Sequence, residues 1–292
     1  MAGGAGMRRA APILTVLLII VAVWYAAAIW MNAPWAYDQA ARAEQAAPTL
    51  LQLPGLTLDQ DRPVLPSPHQ VFSELVKSTL GLAPSSKKSL VYHAWVTISG
   101  TLLGFAMGTT LGVLLAVGIV YNRAMEMSVL PWAIASQMVP IIALAPMLAV
   151  VMNAVGATPL MTKAVISAYL SFFPVVVGMV KGLRSPDAMQ LDLLQTYATP
   201  GSAVFWKLRL PSSMPYFFAS VKVAIAASLV GAIVAELNQQ AGLGARLLQG
   251  SYYGQTTQIW AALFLSAILA AVLVMLAGRI EGRVLKRMGM AR

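Results

Sequence analysis

Six long apolar runs constrain the fold of this chain more than any other feature of its sequence. A helix of about 20 apolar residues is long enough to cross the hydrocarbon core of a bilayer. Because lipid offers the backbone no hydrogen-bond partners, helices and closed barrels are the structures that span it. The runs therefore predict an all-α integral membrane protein with about six transmembrane helices, at about 13–31, 94–120, 128–152, 158–180, 215–236 and 258–278.

The composition fits a membrane protein and excludes several kinds of chemistry. Apolar residues make up 59% of the chain and charged residues 10%, whereas soluble domains carry about 25% charged residues. The chain has no cysteine, which excludes disulfides and thiol chemistry. The net charge of +10 does not indicate nucleic-acid binding, because the placement of the basic residues follows membrane topology.

The apolar runs divide the chain into four regions. Residues 32–92 contain seven prolines and are predicted to be an external loop, with a short surface helix from Ser67 or Pro68 to about Thr79. The regions are a cytoplasmic tail with the first transmembrane helix (1–31), the external loop (32–92), a core of five transmembrane helices (93–280) and a basic cytoplasmic tail (281–292).

The first apolar run admits two interpretations. It follows Arg8 and Arg9, and Ala26-Ala27-Ala28 is similar to a signal-peptide cleavage site. The apolar part of a signal peptide spans 7–15 residues, and the run at 13–31 is longer. A retained transmembrane helix is therefore favoured over a cleaved signal peptide.

The longest polar interruption after residue 95 is the 185–211 segment, between the fourth and fifth runs. Its first residues predict a helix start, because serine caps helices, proline suits the first helical position and an acid suits the first turn. An apolar stripe at helical spacing follows. These features lie at Ser185, Pro186, Asp187, Met189, Leu193 and Tyr197.

Pro200-Gly201 breaks that helix. A second short helix is predicted from a Ser202 cap until Pro211 stops it, with Lys207 and Arg209 on its polar side. Two amphipathic pieces between membrane spans would suit a segment that a soluble partner grips. The alternative interpretation is a helix pair that lies on the membrane surface.

The spacing within this segment resembles the signature of permease subunits of binding-protein-dependent ABC importers, of the nitrate, taurine, sulfonate and pyrimidine-precursor type. The family has Glu-Ala-Ala, three residues, Gly, nine residues, Ile, one residue and Leu-Pro. The corresponding residues here are Asp192, Leu193, Leu194, Ala198, Leu208, Leu210 and Pro211. Only the final Leu-Pro is identical, and alanine in the glycine position adopts positive φ poorly.

The resemblance implies a transport subunit without a catalytic site or cofactor of its own. In the family this segment docks into the cytoplasmic ATPase, so the residues of the signature, together with Tyr197, are predicted to carry that contact. The implied partners are two ABC ATPase subunits that hold ATP-Mg, a second permease copy, an external substrate-binding protein and the lipid bilayer, but no nucleic acid. Transport would proceed by alternating access.

The basic residues set the predicted orientation. With six spans and both termini inside, cytoplasmic positions hold twelve of the 20 lysines and arginines and external positions six. This bias is the positive-inside pattern. It predicts a multi-pass protein with the 185–211 segment in the cytoplasm, and the family resemblance implies that the membrane is the bacterial inner membrane.

Five residues are candidates for the transport pathway or its gate. Pro140 and Pro146 lie in the third run, which resembles a proline-bearing pore helix of the family, and they indicate either a pathway wall or a simple kink. Glu236 ends a Gly-Ala-Ile-Val-Ala-Glu run and is either a gate residue or a wet carboxylate. Tyr252 and Tyr253 either stack on a flat solute or belong to the interfacial aromatic belt.

Small and basic residues within the spans are predicted to have structural roles. Glycines four residues apart in the second run indicate close helix packing, at Gly100, Gly104, Gly108 and Gly112. Lys163 and Lys222 lie inside apolar runs, and both are expected to extend their amines to a membrane interface.

The sequence holds no Gly-rich phosphate-binding loop, so the ATPase is expected to be another polypeptide. A membrane-embedded enzyme lacks support, because the sequence has no His-Glu-x-x-His motif and no pair of acids on one helix face within a span. A self-contained secondary carrier or channel is the alternative function. The residues around Tyr252 resemble the branch that imports pyrimidine-type thiamine precursors or riboflavin-like compounds, with sulfonate, taurine and nitrate left open.

Overall fold

The computed structural model describes residues 3–290, and within that range it is all-helical, without a strand. The side chains of Arg8, Arg9 and Arg292, which the sequence assigns to the cytoplasmic side, lie outside the described part. The helices are α1 Gly3–Arg42, α2 Leu53–Thr57, α3 Pro68–Leu80, α4 Leu90–Tyr121, α5 Arg123–Ser136, α6 Ile141–Ala154, α7 Pro159–Leu183, α8 Ala188–Thr196, α9 Gly201–Val204, α10 Leu210–Glu236, α11 Leu243–Tyr252 and α12 Thr256–Arg287, with a π-helical segment, Phe205–Arg209, between α9 and α10.

The prediction of an all-α integral membrane protein is confirmed. Within residues 3–290, five helical stretches are long and apolar enough to cross a bilayer: α1, α4, α7, α12 and the continuous stretch Gly201–Glu236 that ends with α10. Helices α5 and α6 pass the same test only together, and they bring the number to six if the bent pair is one span. Each predicted apolar run therefore corresponds to a helix or a helix pair.

The third run is bent at a proline, which is one of the two interpretations of its sequence, and it is not one straight helix. It forms α5 and α6, which meet at an angle of 103°. Pro140 stands at the break with φ −62° and ψ 120° and precedes the first residue of α6. Proline provides no N–H and disfavours helical geometry in the residue before it, so the chain turns at this point. Pro146, by contrast, is accommodated inside α6.

The chain divides into two compact units: residues up to 91 with 246–265, and residues 92–245 with the part that begins at 266. In the first unit, Asn32 on α1 holds the segment that leads into α3. Its amide nitrogen donates to Leu65 O at 2.9 Å, and its amide oxygen accepts from Val64 N at 2.7 Å. The region predicted as an external loop also contains the last turns of α1, which continue through Pro34 to Arg42 because Ala33 and Ala36 pack against Leu53.

In the second unit, α4, α7 and α10 pack closely through small residues. A Cβ added at Gly104 would lie 2.6 Å from the carbonyl oxygen of Ala164 on α7, and one at Gly231 would lie 2.8 Å from Ser167 Cα. Ser228 Oγ on α10 donates to Thr101 O on α4 at 2.8 Å. Small residues bring helix backbones close enough for van der Waals contact to hold them together in lipid. The structure places the glycine ridge of α4 in this packed interface.

The contact at Gly104 predicts a clear stability effect. Gly104→Ala should lower the free energy of unfolding by about 1–3 kcal/mol, because the new methyl group overpacks an interface of backbone atoms. Gly282→Ala on α12 is the matched control, since a Cβ there meets nothing within 4 Å and alanine favours helix by about 1 kcal/mol. Thermal unfolding in detergent measures both. Equal melting temperatures for the two variants would contradict the packing described for α4 and α7.

Candidate functional site

The 185–211 segment presents an exposed apolar stripe. Asp187 caps α8 by accepting a hydrogen bond from Met189 N. The sequence predicts Ser185 as the cap, and that prediction is wrong by two residues. One face of α8 then exposes Met189, Leu193 and Tyr197, at 78%, 57% and 76% of their surface. Asp192 is also exposed, whereas Leu194 is half-buried. A contiguous row of large, solvent-exposed apolar side chains indicates a surface that binds a partner.

Ala198 adopts the left-handed conformation at the end of α8. Its φ is +48°, in the position where the family signature has glycine. The turn is closed by a hydrogen bond from Thr199 N to Leu194 O at 3.0 Å. A left-handed conformation costs a residue with a Cβ about 1–2 kcal/mol. The turn geometry is therefore retained although alanine replaces glycine.

The second short helix predicted in this segment does not stop at Pro211. Helical structure begins at Gly201 after Pro200, not at a Ser202 cap, and continues into α10. At the π-helical segment the N–H of Leu210 bonds to the carbonyl of Phe205, five residues back. A π turn widens the backbone and often occurs at functional sites. It lets the helix pass through Pro211, so the 185–211 segment and α10 share one continuous helical stretch.

The second half of the segment, and the residue that precedes the segment, are fastened to neighbouring helices. Arg209 Nη1 donates to Leu183 O at 2.9 Å, and its guanidinium lies 5.8 Å from the ring centroid of Tyr121 on α4. Arg184 forms an ion pair with Glu126 on α5 at 2.8 Å. Leu208, Leu210 and Pro211 are half-buried. The segment is anchored through its second half and exposes its first half.

A buried ion pair forms the second candidate site. Lys163 Nζ on α7 lies 3.3 Å from Glu236 Oε1, and the side chains are 4% and 0% exposed. Lys163 also donates to Val96 O at 3.0 Å. The expectation that Lys163 extends to the membrane interface is therefore wrong, because its amine is held inside the protein. For Glu236, the structure excludes the interpretation as a wet carboxylate.

The backbone before α11 wraps around the carboxylate of Glu236. Oε2 accepts from Thr97 Oγ1 at 2.8 Å and from Gly244 N at 3.1 Å. His93 Nδ1 accepts from Gly242 N at 3.0 Å. Gly242 has a φ of +119°, and a Cβ at this position would overlap the Glu236 carboxylate. One carboxylate thus joins α4, α7, α10 and the turn into α11.

Lys222, the other basic residue within a span, also has an acidic partner. Its Nζ forms an ion pair with Glu281 on α12, and its side chain is 37% exposed. The expectation that the amine reaches a membrane interface did not include this partner. Pairing with an opposite charge lowers the free-energy cost of an ionisable group within a membrane span.

The remaining candidates lie apart from these two sites in the sequence. Tyr252 and Tyr253, at the end of α11, expose 78% and 69% of their surface. Trp260 packs against Trp24 in a tilted arrangement, with ring centroids 5.1 Å apart. Pro140 and Pro146 are both exposed. Within the described residues 3–290, no cluster of three His, Asp or Glu side chains has a metal-binding arrangement.

The partners of Glu236 could not be found from sequence patterns. Thr97 and Lys163 precede it by 139 and 73 positions, and neither belongs to a recognisable motif. Trp206 in the π-helical segment is 66% exposed and was not a candidate either. The Gly-Leu-Gly run at 242–244 is the one local signal, because closely spaced glycines indicate a tight backbone approach.

Known proteins resemble this chain over most of its length. The family model of the binding-protein-dependent transport system inner membrane component matches residues 108–290. The formylaminopyrimidine transport permease protein ThiX of Halalkalibacterium halodurans is 31% identical over 182 residues, 62% of this chain and 68% of that protein. The riboflavin transport system permease protein RibX of Chloroflexus aurantiacus is 28% identical over 219 residues, 75% and 78% of the two chains. The putative aliphatic sulfonates transport permease protein SsuC of Bacillus subtilis is 22% identical over 227 residues, 76% and 78%.

Because Ala198 is left-handed, we expect glycine at this position to stabilise the turn locally. Ala198→Gly should slow hydrogen exchange of the Thr199 amide about fivefold, because removal of the Cβ relieves about 1 kcal/mol of strain. Ala188→Gly, at a helical φ on the same helix, is the control and should have the opposite sign. Exchange measured by mass spectrometry tests both. Faster exchange in Ala198→Gly would contradict the assigned turn.

The ion pair predicts that substitutions of its two residues have strongly non-additive effects on the free energy of unfolding. Glu236→Gln should lower the free energy of unfolding by about 3–5 kcal/mol, because it leaves the Lys163 amine buried without its counter-charge. Glu236→Gln combined with Lys163→Met should recover most of that loss, since no unpaired charge remains. Thermal unfolding in detergent measures the cycle. Additive losses would contradict a direct interaction between the two side chains.

Proposed function

The chain belongs to the inner membrane components of binding-protein-dependent transport systems, and on that premise we propose that it is the ATP-driven permease through which one small solute enters the cell. The exposed stripe of α8 is the observation that carries the proposal. It offers an ATPase three large side chains, Met189, Leu193 and Tyr197, on a segment whose other half is anchored in the protein. Asp192 and Ala198 complete the contact at the edge and end of α8.

Movement of the ATPase would reach the membrane through α10. The second half of the segment it grips continues as one helical stretch from Gly201 to Glu236. A displacement at α8 would therefore cross the hydrogen-bonded turn at Ala198 and then pass along one spanning helix. ATP-Mg is held by the ATPase subunits, and this chain supplies the mechanical link. Closure and opening of two ATPase subunits would then produce alternating access.

A second copy of the permease would cover the bent pair α5–α6. This pair exposes large apolar side chains along its length, among them Trp132, Ile142 and Val150 at 64%, 70% and 69%. Pro140 and Pro146 are exposed on the same pair, and a bend opens backbone groups that a pathway uses. We assign these prolines to the wall of the solute pathway, which would form between the two copies.

The proposed orientation places both termini and the 185–211 segment in the cytoplasm of a bacterial cell. Lys207 and Arg209 lie at the start of the stretch that leads into α10, and α12 ends with Lys286 and Arg287. Basic residues at these helix ends suit the inner face of the membrane. An external substrate-binding protein would then deliver solute to the opposite side, where α10 ends.

The proposed substrate is a flat nitrogen heterocycle of the pyrimidine or flavin type. Support comes from two relatives that are named as transporters of formylaminopyrimidine and of riboflavin and are 31% and 28% identical to this chain. The relative named for sulfonates is 22% identical. Tyr252 and Tyr253 expose faces that suit stacking on such a ring.

The contact with the ATPase predicts what a double substitution does. In membranes of the native host, Asp192→Ala with Tyr197→Ala should reduce the ATPase that copurifies with the tagged permease at least tenfold, since a central aromatic anchor carries about 2 kcal/mol or more. Expression and membrane insertion should be unchanged, because both side chains are exposed. Quantitative blotting of the eluate and its ATPase activity are the measurements.

The matched control changes the same residue types on α1. Tyr37→Ala with Asp38→Ala removes an exposed tyrosine and aspartate, and it should leave the copurified ATPase at the wild-type amount. If the wild-type protein retains no ATPase, the importer proposal falls and a self-contained carrier replaces it. If the α8 variant retains the full amount, the ATPase contact lies elsewhere.

A further inference from the structure

A cleft of about 460 Å³ lies at the end of the second unit where α7 begins and α10 ends. Its wall includes the last turns of α6, the first turn of α7 and the residues that follow Glu236. Clefts of about 300–1,000 Å³ hold small-molecule ligands. The volume is therefore sufficient for a solute of one or two rings.

The floor of the cleft is electrically neutral. Lys163 lines it, and its amine is occupied by Glu236 Oε1 at 3.3 Å and Val96 O at 3.0 Å. An anion bound at this depth would need an unpaired positive charge, because loss of hydration is costly without one. The structure pairs the cation with a carboxylate of its own. A sulfonate or nitrate therefore finds no counter-ion on this floor.

The rim of the cleft carries carboxamides. Asn153, Asn238 and Gln240 line it and are exposed, and among the described residues none of these three side chains makes a hydrogen bond to protein. Each carboxamide offers two N–H donors and an oxygen acceptor. Gln239 is tied to Pro159 O at 3.4 Å. The rim therefore matches a solute that both donates and accepts hydrogen bonds.

An aromatic side chain completes the wall. Tyr92, at the start of α4, lines the cleft half-buried, and its ring lies edge-on to His93 with centroids 5.4 Å apart. A tyrosine face provides stacking area and its hydroxyl a polar contact. Neutral floor, carboxamide rim and aromatic wall together have the chemistry of a site for an uncharged heterocycle.

We infer that this cleft is a solute-binding site of the permease itself, selective for an uncharged, hydrogen-bonding heterocycle, and that the Lys163–Glu236 pair keeps it neutral. The inference rests on the proposed function and adds to it a site within this chain. It also gives a reason for the buried pair: a lone lysine would attract anions, and a lone glutamate would attract cations. The carboxamides then discriminate by hydrogen bonding alone.

The test separates solute handling from ATPase coupling. The complete transporter, with its ATPase and binding protein, is reconstituted in vesicles, and uptake of labelled formylaminopyrimidine or riboflavin is divided by ATP hydrolysed. Asn153→Ala with Asn238→Ala should lower this ratio about three- to tenfold, because it removes hydrogen bonds to the solute. The ATPase rate should stay at the wild-type value, which a folding or docking defect would not allow.

The control removes two exposed carboxamides outside the cleft. Gln39→Ala with Gln45→Ala should leave the ratio unchanged. Wild-type ratios in the Asn153/Asn238 variant, with the wild-type protein importing either heterocycle, overturn the cleft assignment and leave the proposed function intact. A wild-type protein that imports neither heterocycle overturns the proposed substrate class and the cleft assignment with it, whereas the ATP-driven permease stands or falls with the copurified ATPase.

A second pair of variants tests neutrality. Glu236→Gln should lower the ratio more than tenfold, because it leaves a charged Lys163 under the solute. Addition of Lys163→Met should bring it back to within about threefold of wild type. Size-exclusion profiles establish which variants are folded. If Glu236→Gln does not fold, the double variant decides. A double variant that folds and whose uptake per ATP is below a tenth of the wild-type value overturns the role of neutrality.

Discussion

The close approach of α4, α7 and α10 is the constraint on which the rest of the second unit depends. Gly104 and Gly231 bring these helices to backbone contact, and a Cβ at either position would force backbone atoms of α7 to shift. Lipid supplies no hydrophobic force between helices, so contact of this kind, with hydrogen bonds such as Ser228 to Thr101, holds the unit together. It also determines how near two charged side chains on different helices come.

The buried ion pair follows from that packing. Gly100 on α4 lies against Lys163, because a Cβ at Gly100 would be 3.1 Å from the lysine Cβ. The lysine stem fills the space that the glycine leaves, and its amine is directed to Glu236 and not to lipid. Thr97 then satisfies the other carboxylate oxygen. A charge pair in a bilayer is tolerable when its remaining hydrogen bonds are satisfied, and here α4 and the backbone N–H of Gly244 satisfy them.

Local sequence predicted the features whose causes are local. Length and apolarity of the runs predicted the spanning helices, and the Ser67-Pro68 start predicted the place of α3. The spacing from Asp192 to Pro211 predicted the family, which the comparisons confirm. The angle at Pro140 was not predictable, because a proline shows that a helix is interrupted but not the direction in which it resumes.

The partners of Lys163 were unpredictable for a different reason. A lysine near a span end has the same local pattern whether its amine reaches water or an acid 73 positions away. Only the register of α7 against α10 decides, and that register depends on glycines and serines in three helices. The roles assigned to the coupling and pathway residues stay predictions, since contacts with partners and solute decide them.

The two candidate sites lie at opposite ends of one helical stretch. It starts at Gly201 beside the exposed α8 and ends at Glu236 beside the cleft. At about 1.5 Å per residue, this stretch spans roughly 50 Å. The π-helical segment and Pro211 lie near its start, where Arg209 fastens it to Leu183, and the turn at Gly242 and Gly244 closes over its end.

If the ATPase moves α8, the least deformable route to the opposite face of the membrane is this helix. The carboxylate at its end is bonded to α4, α7 and the turn into α11, so displacement of α10 must either carry these elements along or break the bonds to Glu236. Either event changes the wall of the cleft.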